Sequence, residues 1–275
     1  MKLETIIIIA ALLFCIISET VIFEAEAGIM VLDGLTREKV ASAGETFEGF
    51  IEIRNTGKET EDVKVYQTDY LFYSDGSNSY DEPGTNKRSN AKWLFFSPHQ
   101  VTIPPGGTSR IIYNAKIPGN KALKGSYWSI LMVEAIPKES PESGRPLDGT
   151  INYGLTQVFR YGVQMITHIG DTGTRKLNFL NPDLLKDDKN RILQIDIENT
   201  GERYLQPSLW TKLYDEKGGF VDKFEGGKTR TYPGTSVRFK IDLSKAPAGN
   251  YKAIVVADCG GDDIFGATYS LKFEE

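Results

Sequence analysis

The chain has 275 residues, of which 40% are hydrophobic and 25% charged. That is enough apolar material for two ordinary packed domains, and it excludes a disordered polymer or a polytopic membrane protein. A formal net charge of −5 excludes nucleic acid as the main partner, and two histidines with two cysteines leave little for metal or nucleophilic catalysis.

The chain opens on a leader pattern. Lys2 supplies a basic start, residues 5–17 (TIIIIAALLFCII) are apolar, and Ala25-Glu26-Ala27 puts small residues where a signal peptidase would cut before Gly28. As a helix rising about 1.5 Å per residue, the run falls short of the ~30 Å hydrocarbon core. Residues 1–27 are therefore expected to be a cleaved signal peptide, with a retained anchor as the alternative. Export to the periplasm or cell surface follows, and the membrane is met only through this segment if it stays uncleaved. Without the leader the chain is near neutral and Cys259 is its sole cysteine, so no intrachain disulfide is expected and Cys259 reads as a small buried hydrophobe.

The rest is a repeat. Residues 47–57 (FEGFIEIRNTG) and 192–201 (ILQIDIENTG) each alternate apolar and polar residues and then run into Asn-Thr-Gly. Ile51 and Ile53 share a face with Phe47 and Gly49, and Leu193, Ile195 and Ile197 share another. This is the period of a half-buried antiparallel strand, and Asn-Thr-Gly reads as a turn. Pro105-Gly106-Gly107-Thr108 and Pro233-Gly234-Thr235 then precede further alternating strands. Gly125-Ser126-Tyr127 and Gly249-Asn250-Tyr251 precede runs apolar on both faces, SILMVEAI (129–136) and AIVVAD (253–258), as expected of central strands. The first half carries an extra polar insertion, residues 74–92, that reads as a long surface loop.

No helical period of useful length appears; residues 183–186 (DLLK) would make one turn at most. The expected fold is all-β: two immunoglobulin-like antiparallel β-sandwiches, residues 28–169 and 174–275. Residues 137–154 read as a polar loop, and residues 155–169 (LTQVFRYGVQMITHI) as a strand that completes the first sandwich. Gly170-Asp171-Thr172-Gly173 is expected to be the hinge. Trp93, Trp128 and Trp210 read as core or rim anchors.

Enzymatic chemistry is not expected. His99 and His168 have no metal-ligand spacing, and residues 187–190 (DDKN) read as a hairpin turn, as do Asp258, Asp262 and Asp263 around Gly260-Gly261. There is no nucleophile-elbow, phosphate-loop or dinucleotide motif. No catalytic residue, metal, cofactor or small-molecule substrate is assigned, and a protein partner is expected.

The order of these segments resembles the periplasmic chaperones of pilus assembly, over roughly residues 29–170. The resembling stretches run from Phe96-Ser97-Pro98 to Pro105-Gly106-Gly107, then from Ser126 to Ala135-Ile136-Pro137, followed by the polar loop and the long apolar strand. The resemblance implies two immunoglobulin-like domains joined at an angle. It also implies a last strand of the first domain that lends its edge to an extended segment of a surface or pilus subunit. On that reading Phe159, Tyr161, Val163 and Met165 select the segment, and Arg160 is the candidate for a charge-assisted contact to a carboxylate. Arg37 or Lys39 matches the first-strand arginine of the family's carboxylate anchor, with Arg160 as its second member. The sequence departs from the family in lacking the Arg-Pro close of that strand. The alternative class is a structural or adhesive two-domain spacer of a cell-envelope assembly.

Overall fold

The structure, a computed structural model, describes residues 28–138, 158–187 and 190–274. The expected leader, most of the polar loop and residues 155–157 lie outside the described residues. In chain order the first sandwich contains β1 (Ile29–Val31), β2 (Thr36–Ala41), β3 (Thr46–Asn55), β4 (Glu61–Phe72), β5 (Asn78–Asp81), β6 (Leu94–Ser97), β7 (Gln100–Ile103), β8 (Thr108–Lys116), β9 (Gly125–Ala135) and β10 (Arg160–Ile169). The second contains β11 (Leu177–Asp187), β12 (Asn190–Asn199), β13 (Ser208–Tyr214), β14 (Phe220–Lys228), β15 (Ser236–Asp242), β16 (Gly249–Asp258) and β17 (Ile264–Phe273).

Two sheets face each other in each half. The first half pairs β1-β3-β8-β6 against β2-β10-β9-β4-β5, with β7 also on β4; the second pairs β11-β12-β15 against β14-β13-β16-β17. The inward sets predicted from alternation are the cores: Ile51, Ile53, Ile111, Leu131 and Val133 in one, Leu193, Ile195, Ile197, Phe239 and Val255 in the other. The two runs that are apolar on both faces lie in β9 and β16, each flanked by strands on both sides.

The repeated Asn-Thr-Gly is more than a turn. Asn55 and Asn199 are fully buried. Each side-chain oxygen accepts the N–H two residues on, Gly57 at 2.9 Å and Gly201 at 3.0 Å. Each side-chain amide donates across the sandwich, Asn55 to Ile103 O at 2.9 Å and Asn199 to Thr231 O at 3.2 Å. Their backbones bond the Pro-Gly turns: Gly106 N donates to Asn55 O and Gly234 N to Asn199 O. The landmarks that made the repeat visible are thus two halves of one clamp, in which buried amide groups are paired rather than solvated.

Three expectations are corrected. Residues 183–186 lie in β11, where Leu184 packs against the core and a bulge between Leu180 and Asp183 absorbs Asn181 at φ 49°. The insertion at 74–92 carries β5 and a 3-10 turn at Ala91–Trp93. It is held because buried Asp69 accepts from Asn86 N at 2.7 Å and from the Ser89 hydroxyl. The segment Gly170-Asp171-Thr172-Gly173, expected as a hinge, is braced. Arg203 donates to Gly170 O at 2.7 Å, Thr172 Oγ1 accepts from Gly125 N at 3.1 Å, and a Cβ at Gly173 would overlap the Gly125 backbone.

The sandwiches meet along the outer face of the second sheet of the first half. Trp128 and Ile166 on that face pack against Tyr232 of the other half, with Tyr204 and Phe72 around them. Ser126 N donates to Glu202 O at 2.8 Å, Arg88 pairs with Glu202 at 3.1 Å, and Ser74 N donates to Ser236 Oγ at 2.9 Å.

Candidate partner-binding edge

The strand that the sequence marks for binding is β10, and its two edges differ. Along its whole length it pairs antiparallel with β9, from Arg160 opposite Glu134 to Ile169 opposite Gly125. On the other side it pairs with β2, in parallel, from Gln164 to Ile169. That pairing opens with Gln164 N donating to Leu35 O at 2.9 Å. The N–H and C=O of one residue point to the same side of a strand, and successive residues alternate. Arg160 and Gly162 therefore aim their backbone groups the same way as Gln164, away from β9. Among the described residues no strand pairs with them there.

Among the described residues this edge stays open because β2 arrives late. After β1 the chain crosses from one sheet to the other at Asp33 and Gly34, both at positive φ, 60° and 78°. The Arg37 guanidinium fixes this crossover. It donates to the carbonyls of Asp33 at 3.0 Å, Gly34 at 3.2 Å and Thr36 at 3.2 Å. Arg37 and Lys39 alternate with Glu38 along β2 and face the space between the sheets, whereas Glu38 faces the second sandwich.

The predicted site residues fall into three groups. Val163 and Met165 are core side chains, unavailable to a partner while the sandwich is closed. Tyr161 is half-buried against the same core, and Phe159 is half-buried at the entry to the strand beside Ile29 and Ala135. Arg160 faces outward, where the chain already supplies a carboxylate: its Nε lies 2.7 Å from Glu134 Oε2. Tyr66 Oη donates to the same oxygen at 2.7 Å, and Lys64 stands 3.5 Å from Oε1. Burial alone would raise the Glu134 pKa; the Tyr66 and Arg160 hydrogen bonds and the two cations outweigh it and hold the carboxyl below its ordinary value. Arg160 keeps more than half its surface exposed. Sequence reasoning missed Glu134, which sits in an otherwise apolar strand.

Sequence reasoning also missed the role of His168. It is buried, its Nε2 lies 2.8 Å from Glu38 Oε1, and its Nδ1 lies 2.8 Å from Ser126 Oγ. Ser126 Oγ accepts in turn from Tyr204 N at 2.8 Å, so this chain of bonds crosses between the sandwiches. A neutral imidazole satisfies it, with Nε2–H donating to Glu38 and Nδ1 accepting the serine proton. Burial lowers the His168 pKa below 6.5; Glu38 opposes this and Arg203 reinforces it. Below about pH 6.5 the unfolded chain takes up a proton that the folded one resists, so stability falls with pH until the folded histidine also titrates. Denaturant midpoints should therefore drop between pH 7 and 5, and His168→Gln should flatten that part of the profile. An unchanged slope in the variant would place the titration elsewhere.

No family model matches the sequence, and no curated protein matches it. Several of the solved structures to which the chain is similar are chaperones of fimbriae or pili. One is a chaperone–tip adhesin complex of CFA/I fimbriae biogenesis, at 15% identity and a TM-score of 0.48, covering 89% of this chain and 98% of that one. Another is the class 5 fimbriae chaperone CfaA, at 15% identity and 0.47, covering 87% and 98%. A third is the CsuC–CsuE chaperone–tip subunit complex of Acinetobacter baumannii, at 14% and 0.44, covering 89% and 98%. At these scores the likeness is one of general chain course, and no functional argument rests on it.

Proposed function

We propose that this chain is a non-enzymatic, exported, chaperone-like protein that receives an extended segment of a surface or pilus subunit along the leading half of β10. The reading is supported by the backbone of Arg160 and Gly162, which among the described residues is unshared on one side while the strand from Gln164 onward is paired on both. An added strand would satisfy those groups whatever its sequence. Its side chains would meet the Arg160–Glu134–Lys64 row on one face and the half-buried rings of Phe159 and Tyr161 on the other. The structural or adhesive spacer is the alternative, and it has no use for an open edge.

The test is co-expression with candidate exported subunits and recovery of a stoichiometric complex. Arg160 is the first residue of β10, a position that tolerates proline. Arg160→Pro removes an N–H on the open side and leaves the β9 ladder intact, whereas Arg160→Ala removes only the side chain. Capture should fall about ten-fold further in the proline variant, the scale of a lost main-chain bond together with a blocked edge. Capture equal to wild type in both variants, with unchanged circular dichroism, would sink the proposal.

A further inference from the structure

Each sheet of the second sandwich ends in two edge strands, and β17 differs from the other three. β14 has register shifts against β13 at Leu209/Trp210 and Leu213/Tyr214, and it carries Asp222, Lys223, Glu225 and Lys228. β11 has its bulge at Asn181 and Pro182, and β15 alternates Arg238 and Lys240 with core residues. Bulges, prolines and charges are what keep a sheet edge from pairing with another chain. β17 has none of them from Ile264 to Leu271. The run IFGATYSL carries no charge and no proline, and it pairs with β16 in unbroken register.

The backbone of this edge is turned outward. At the mouth of the β16–β17 hairpin Cys259 N donates to Asp263 O at 3.0 Å. From that pair onward, alternate residues of β17 turn their N–H and C=O to β16: Phe265, Ala267, Tyr269 and Leu271 face it, while Gly266, Thr268, Ser270 and Lys272 face away. Among the described residues no strand pairs with β17 on that side. The two ends of the edge differ in charge. Asp262, just before the strand, is exposed and among the described residues forms no ion pair. Lys272, near its end, keeps 71% of its side chain exposed, with Glu274 of the same chain 3.5 Å away.

We propose that β17 is a self-association edge, pairing antiparallel with β17 of a second copy about a two-fold axis at Ala267. The end charges select that arrangement. With Ala267 opposite its own mate, Lys272 of each copy falls opposite Asp262 of the other, whereas a parallel copy would set lysine beside lysine. Gly266 then stands opposite Thr268 and Ile264 opposite Ser270, so outward backbone groups meet one another. Phe265 stands opposite Tyr269, an aromatic cross-strand pair. The two four-stranded sheets become one continuous sheet, and the guarded β14 edges at its ends stop further growth. One strand pair buries less than the ~1,200 Å² of a stable interface, so the dimer forms and dissociates with concentration. This edge lies in the second sandwich and does not depend on the reading of β10; its failure would leave subunit capture there untouched.

Sedimentation velocity of the full chain from micromolar to near-millimolar concentration tests it, with a monomer–dimer equilibrium as the expected result. Thr268→Lys, which sets two ammonium groups beside the axis, should weaken the dimer at least about ten-fold. Lys272→Asp, which opposes carboxylates at both ends, should weaken it about three- to ten-fold, and adding Asp262→Lys should restore it. Ala267→Cys should give a reducible dimer on mild oxidation, because residues directly opposite each other there lie within disulfide reach; the parent chain with its native cysteines is the control. A chain monomeric at every concentration, or a dimer unmoved by both Thr268→Lys and Lys272→Asp with unchanged circular dichroism, would overturn the proposal. A monomeric chain that loses subunit capture in Thr268→Lys would overturn it too, and would give the edge to the subunit instead.

Discussion

Replacing Tyr232 with alanine should lower stability by about 3–5 kcal/mol, the scale of deleting a large buried ring, and should separate the unfolding of the two sandwiches. Tyr232 is fully buried yet belongs to neither main core. Its ring stacks on Trp128 at 4.6 Å and 18°, and Phe72 meets it edge-on at 5.9 Å. Its hydroxyl donates to Gln164 Oε1, which also accepts from Arg230 at 2.7 Å. Burial pushes the phenol above its ordinary pKa, so it stays a donor at any physiological pH. Alanine would leave Trp128 and Ile166 facing a void in the seam, while each sandwich keeps its own core. Chemical denaturation followed by tryptophan fluorescence should then give two transitions in place of one, and small-angle scattering should show a broader distribution of shapes. Tyr232→Phe, which deletes one hydrogen bond, should cost about 1 kcal/mol and keep a single transition. A single transition with unchanged scattering in the alanine variant would show that the seam is held by the backbone and charged contacts around Ser126, Glu202 and Arg203.

The sequence was informative about faces and silent about edges. A period of two says which side chains point inward, and at Ile51, Ile53, Leu193, Ile195 and Ile197 that reading gave core residues because burial acts on side chains. Which side of β10 carries unshared N–H and C=O groups is a property of the backbone and of where β2 happens to arrive. Residues 155–169 alternate identically whether paired on one side or two, so the open stretch at Arg160 and Gly162 could not be read from them. The same limit hid the fate of Val163 and Met165: alternation put them on one face without saying that this face was the core. Asn55 and Asn199 were legible as a repeat but not as clamps, because Asn-Thr-Gly has the composition of a solvated turn and its burial comes from a Pro-Gly turn dozens of residues away. The seam was illegible for a related reason. Trp128, Tyr232 and His168 lie in different segments, and nothing local brings them together.

The insertion at 74–92 illustrates how a polar stretch can serve a buried purpose, and Asn90 within it is expected to be among the most sensitive polar residues of the first sandwich. β4 pairs with β9 as far as Thr68 opposite Ile130 and then turns away to β5. The insertion takes its place: Trp128 N donates to Arg88 O at 2.9 Å. Asn90 closes the gap. Fully buried, it donates to Met165 O at 2.9 Å and Thr167 Oγ1 at 3.1 Å on β10 and accepts from Ser129 Oγ at 2.7 Å on β9. One amide thus ties the insertion to the two strands that form the candidate binding edge. Asn90→Ala removes both donors and the acceptor, leaving the Ser129 and Thr167 hydroxyls short of a partner inside the protein. Each such buried group costs about 1–3 kcal/mol, so a loss of about 3–5 kcal/mol is expected, larger than the usual cost of a single hydrogen bond. Asn90→Asp keeps the acceptor but replaces the donors with a buried charge facing a carbonyl, and should be no better. Amide hydrogen exchange should localise the damage to β10 and the neighbouring stretch of β9 while β12 and β16 stay protected. An Asn90→Ala protein as stable as wild type, or one loosened equally in both sandwiches, would mean that the insertion is held by Asp69 alone and that β10 keeps its position without it.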